Sequence, residues 1–136
     1  GATMTPDMYR CVISINGVSD VQKMVREDRE RYGKNHWVVA YWERIIADGK
    51  YKRSHLKEIS PINHVENIKA PVLLIHGERD RVVEFEQSST FAKKLRKADK
   101  DVTLVKLDDT GHSLSRAEPR REAMLAIDEF LKEHLN

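Results

Sequence analysis

The segment Pro71–His76 (PVLLIH) constrains the fold more than any other part of the chain. No polar side chain interrupts it before the terminal histidine, so a strand here has no face to turn to water. Such a strand belongs inside a parallel sheet, with helices packed on both sides. The flanking segments agree. Cys11–Ile15 (CVISI) is a β-branched run that enters Asn16-Gly17, and reads as a strand then a turn. Val102–Leu107 (VTLVKL) reads as a further strand. Helical spacing covers Val21–Tyr32, closed by Gly33, and His36–Ala47, where Val38, Val39, Trp42, Ile45 and Ile46 recur before Gly49. It returns over Glu84–Ala98 and in the C-terminal stripe Ala123, Met124, Ile127, Phe130, Leu131 and Leu135. Ser115 and Glu118 fit a capping box for that last helix, while Pro119 suits a first turn. Ser54–Asn67, with Pro61 inside, is expected to be irregular.

The order strand, helices, strand, helix, strand, helix predicts an α/β fold. Its short parallel sheet has about three strands, right-handed crossovers and flanking helices. The first strand becomes an open edge, which anticipates a neighbour supplied from upstream or by another chain.

Composition narrows the partners. The 136 residues suit one ordinary domain or a large piece of one. With 24 basic and 22 acidic side chains the net charge is only +2. The basic run Lys93–Lys97 is diluted by Glu84, Glu86, Asp99 and Asp101, so nucleic acid is not expected as a partner. No apolar run approaches the ~18–20 residues that a membrane-spanning helix needs. Cys11 is the only cysteine, which excludes an internal disulfide and a thiolate zinc cluster and suggests a buried structural thiol. The chain begins Gly1-Ala2-Thr3 with no secretion signal after it, and is expected to be cut from a longer one or to start naturally at Met4.

In parallel α/β sheets, functional groups gather at the carboxyl ends of the strands. Asp80 lies just past the strand Pro71–His76, and His112 past Val102–Leu107. A carboxylate beside an imidazole fixes its tautomer and stabilises its protonated form, as a general base requires. On spacing alone the alternative stands level: Asp80 holding its own loop or paired with Arg79 or Arg81, and His112 a surface loop histidine. Zinc held by His76, Asp80 and His112 matches no compact ligand spacing, and His76 is better read as packed or hydrogen-bonded. Trp37, Tyr41 and Trp42 sit at helical spacing, where core packing is the default over a substrate pocket.

Ile68–Val83 (IKAPVLLIHGERDRVV) resembles the acid-bearing strand and loop of α/β-hydrolases, and is most similar to the prolyl oligopeptidase (S9) serine peptidases. Gly111-His112-Ser113 is similar to their catalytic-histidine loop. Thr5–Cys11 (TPDMYRC), Ser14–Asp20 (SINGVSD) and Ser60-Pro61 resemble the same group, including its acylaminoacyl-peptidase-like members. Glu84 departs from the pattern, since many relatives carry proline there. The resemblance implies that residues 1–136 are the C-terminal portion of an α/β-hydrolase catalytic domain. It further implies Asp80 as triad acid, His112 as general base, short or acylated peptides as substrates, and no metal or organic cofactor.

The family's serine stands in a G-x-S-x-G elbow between strand and helix. No such motif occurs among the 136 residues. The elbow precedes a segment similar to Gly1–Pro6 in relatives, so the nucleophile is expected upstream of Gly1 and the chain alone is expected to be inert. Ser14, Ser19, Ser60, Ser88, Ser89 and Ser113 all read as structural. Two alternatives remain: an esterase of the same superfamily, and a non-catalytic binding module that forms a homodimer through its open sheet edge.

Overall fold

The structure is a computed structural model describing residues 1–47 and 52–135. It divides into two compact units, Gly1–Gly17 with His64–Asn136, and Val18–Asn63.

The first unit is built on three parallel strands, β1 (Val12–Ile15), β2 (Val72–Gly77) and β3 (Val102–Leu107), in the order β1-β2-β3. Val12 lies opposite Val72, and Val72 opposite Val102. The apolar run thus takes the central position, where every residue of β2 is buried. Alternation along the strand sends Leu73 and Ile75 to one face. There they join Leu107 and, from helix α5 (Ala117–Leu135), Ala123 and Phe130. His76 lies on the opposite face, where its ring meets Ser88 of helix α4 (Glu86–Lys97). Phe91, Ala92 and Leu95 form the buried side of α4. Each large aliphatic side chain sealed in this way contributes about 1.5–3 kcal/mol.

Several boundaries differ from the sequence expectation. Cys11 falls just outside β1 and is half-buried against the α5 cluster rather than wholly buried. Helix α4 begins at Glu86, not Glu84. Helix α5 begins at Ala117, so Ser115 lies outside it and no Ser115–Glu118 capping box forms. Pro119 is buried in the first turn, where a missing N–H has no intrahelical acceptor to lose. Strand β1 pairs with β2 alone among the described residues.

The second unit holds α1 (Val21–Tyr32), α2 (Trp37–Ala47) and α3 (Arg53–Glu58). The Asp20 carboxylate accepts the Lys23 N–H at 2.8 Å to cap α1, and Gly33 (φ 85°) closes it with an N–H to the Arg29 carbonyl. Met24, Val25 and Leu56 form its core, with Val18, Trp42 and Ile46 at the margin. Helix α3 and the short 3-10 turn Pro61–Asn63, with the turn Val65–Asn67 of the first unit, replace the expected irregular stretch. Six residues with one buried apolar anchor, Leu56, leave no period to detect. Ser60 fastens this region: its buried hydroxyl donates to the Leu56 carbonyl at 2.6 Å and accepts the Val21 N–H at 3.0 Å. Gly49, expected to end α2, lies outside the described residues.

The end of β2 is where the fold sets up a site. A Cβ on Gly77 would collide with the Thr110 carbonyl oxygen and stand 2.7 Å from that of Gly111. Glu78 N–H donates to Leu107 O and Arg79 N–H to Thr110 O, both at 2.9 Å. The loop after β3 is therefore seated on backbone that has no room for a side chain. Gly77→Ala is expected to destabilise the protein by about 1–3 kcal/mol. A lower urea midpoint with an unchanged m-value checks this.

Candidate active site

Beyond β2 the chain turns through Glu78 and Arg79, and the Asp80 carboxylate reaches forward to the residues that follow it. Asp80 Oδ1 accepts the N–H groups of Val82 and Val83 at 2.8 and 2.9 Å. This local capture is characteristic of aspartate in turns. It leaves Oδ2 aimed at Nδ1 of His112, 2.8 Å away. The Asp80 side chain has no exposed surface, so these donors compensate its desolvation.

His76 supports the acid loop from below. Its ring is fully buried, with Nε2 2.8 Å from the Val83 carbonyl and 3.4 Å from Asp80 Oδ2. A carbonyl only accepts, so Nε2 carries a proton, and Nδ1 accepts the Ser88 hydroxyl at 2.7 Å. Phe85 meets the ring edge-on at 5.8 Å. A protonated Nε2 has no lone pair to offer beside Asp80 and His112, which removes one ligand from the zinc alternative.

His112 reaches the site from the loop after β3, with its side chain 43% exposed. Nδ1 faces a carboxylate oxygen, an acceptor, so Nδ1 holds the proton and Nε2 the lone pair. That is the tautomer a general base needs. Asn16, at the end of β1, joins the two loops. Its Nδ2 donates to the His112 carbonyl at 2.6 Å, and its Oδ1 accepts the Gly77 N–H at 2.9 Å. Sequence reasoning read Asn16 only as half of a turn, and did not find the contact between His76 and Ser88.

Surface ion pairs tie the loop after β2 to the end of β3 and the loop beyond it. Glu78 Oε1 meets Lys106 Nζ at 2.8 Å, and Lys106 also meets Asp108 at 2.9 Å. Arg79 pairs with Asp109, whose carbonyl accepts from Arg116 at 2.9 Å. Arg79 thus pairs with Asp109 and not with Asp80, while Asp80 does hold its own loop through Val82 and Val83.

The remaining candidates separate. Asp80 and His112 are brought together; the serines are not. Ser60 and Ser88 are committed to the contacts above, and Ser113 is an exposed neighbour of His112 in sequence. Trp37 and Tyr41 are 72% and 50% exposed, so core packing holds for Trp42 alone.

An acid and a base presented side by side at the carboxyl edge of a parallel sheet suit hydrolytic chemistry, and comparison with known proteins decides the family. Residues 1–136 match the prolyl oligopeptidase family. The chain belongs to that family. The rat acylamino-acid-releasing enzyme is 32% identical over 139 residues, spanning 96% of this chain and 18% of that enzyme. Dipeptidyl aminopeptidase BIII of Pseudoxanthomonas mexicana is 25% identical over 99% of this chain and 19% of its own length. The acylaminoacyl peptidase of Pyrococcus horikoshii shares the fold with a TM-score of 0.80 at 22% identity, covering 98% of this chain and 21% of that one. This prolyl oligopeptidase family chain therefore spans about a fifth of the length of these relatives.

The ion pairs give a testable pH dependence. Hydrogen bonds from Lys106 to Glu78 and then to Asp108 push the Lys106 ammonium up to about 12. The same lysine, with the Asp109 N–H, holds the Glu78 carboxyl below its usual range. A raised ammonium stabilises the fold fully below its ordinary value of 10.5 and loses that contribution as pH climbs through about 12. Lys106→Met is accordingly expected to be less stable than wild type by a constant margin from about pH 6 to 10. That margin should close above pH 10.5, as followed by urea unfolding across pH.

Proposed function

We propose that this chain supplies the acid and base of a Ser-His-Asp hydrolase, as the C-terminal portion of a peptidase catalytic domain. The observation that carries this is the 2.8 Å contact between His112 Nδ1 and the buried Asp80 carboxylate. In the proposed reaction His112 Nε2 takes the proton of a serine hydroxyl as it attacks the substrate carbonyl, then returns it to the leaving amine. Asp80 stays ionised, orients the ring and stabilises the imidazolium.

The serine comes from outside these 136 residues, because no G-x-S-x-G elbow is among them. The substrate class is short or acylated peptides, a reading supported by the names of the acylamino-acid-releasing and dipeptidyl aminopeptidase relatives. Without the serine of that elbow, the isolated chain has no nucleophile for acylation.

The test uses the intact protein, a fluorophosphonate serine probe and an acetylated peptide. Wild type is expected to label and turn over, His112→Ala to lose about 10⁴-fold or more in kcat, and Asp80→Asn about 10⁴-fold. The isolated 136-residue chain is expected to take no label. Wild-type turnover by His112→Ala would overturn the assignment, and labelling of a serine within the isolated chain would overturn the missing nucleophile.

A further inference from the structure

We infer that Asn16 is a positioning residue for the acid–base pair, its side-chain amide fixing the backbone of His112 to the end of β2 so that the imidazole stays on Asp80. This rests on the reading of His112 as general base.

Asp80 holds only the ring of His112, at Nδ1. A ring held at one atom still changes the direction of Nε2 if its own backbone shifts. The backbone bond from Arg79 N–H to Thr110 O stops two residues short of His112. Asn16 reaches the His112 peptide itself, through the 2.6 Å bond to its carbonyl. The same amide takes the Gly77 N–H, three residues before Asp80. One side chain thus connects the end of β1, the end of β2 and the loop after β3.

The residue type follows from three demands. Gly77 N–H can only donate and the His112 carbonyl can only accept, so the group between them must accept at one end and donate at the other. These partners also settle which end of the amide is oxygen. The backbone at Asn16 has φ 49°, a left-handed conformation that asparagine, aspartate and glycine tolerate. The residue is only 7% exposed, so both polar ends need partners within the protein. Asparagine meets all three, and aspartate fails the second half of the first because it has no N–H to donate.

Two variants in the intact protein test the inference with unlike chemistry. Asn16→Gly keeps the left-handed backbone and removes the amide. Asn16→Asp keeps an acceptor for Gly77, sets an oxygen against the His112 carbonyl and brings a negative charge towards the imidazole. With an acetylated peptide as substrate, Asn16→Gly is expected to lower kcat about 10- to 100-fold, the scale of a small misplacement of a reacting group, with KM within about twofold of wild type. Asn16→Asp is expected to lower kcat similarly and to move the acidic limb of the kcat/KM profile to higher pH, because the new charge favours the imidazolium. Thermal melts give the folded fraction for each variant.

Wild-type kcat and an unmoved acidic limb in either folded variant would overturn the inference. So would activity lost only in proportion to the folded fraction, which marks a purely structural residue. His112→Ala separates the two levels. If it is inactive while the Asn16 variants behave as wild type, the inference alone fails; if it is fully active, the assignment of His112 fails first.

Discussion

A carboxylate whose side chain has no exposed surface must be surrounded by donors, or the fold cannot contain it. Asp80 is such a group, and much of the first unit follows from satisfying it. Its Oδ1 is closed by the N–H groups of its own turn, which curls the chain after β2 tightly enough to bring the Val83 carbonyl over His76. Its Oδ2 needs a donor from elsewhere, and His112 provides one. Bringing His112 there requires the loop after β3 to lie against the end of β2, which only a glycine at position 77 allows. The apolar run of β2 anchors this arrangement, since its central, fully buried position fixes where the turn emerges.

The parts of this architecture that leave a periodic or compositional mark could be read directly from the chain. β2 showed itself by lacking a polar face, and β3 and α1 fell at the expected residues, α1 between Asp20 and Gly33. Asp80 and His112 were legible because they follow strands of a parallel sheet, where side chains converge. What stayed hidden depends on contacts between distant residues. Asn16 and His112 are 96 positions apart, and nothing local to an Asn-Gly pair says that its amide will meet a loop from the other end of the chain. Helix α3 was too short to show a period, and α5 began at a proline-containing turn in place of a capping box. The exposure of Trp37 and Tyr41 was equally out of reach, since helical spacing shows that residues share a face without showing what covers it.

The proposed site divides labour between ring and backbone. Asp80 governs the orientation and tautomer of the His112 ring, whereas Asn16, Gly77 and the Lys106–Glu78 pair govern where the loop lies. The first depends on a buried carboxylate; the last is exposed and ionic, and so is the part that salt would weaken. The β1 edge is paired on one side only among the described residues.

The proposed site depends on Asp80 holding the His112 ring with its proton on Nδ1. Nitrogen-15 NMR of the histidine-labelled protein, followed across pH to where the imidazole is neutral, reads this directly, because the two ring nitrogens then differ strongly in shift when one is protonated. The expected result is a His112 signal pair with the proton on Nδ1, deshielded by the hydrogen bond and lost in Asp80→Asn. A His112 ring carrying its proton on Nε2, or one unaffected by Asp80→Asn, would contradict it.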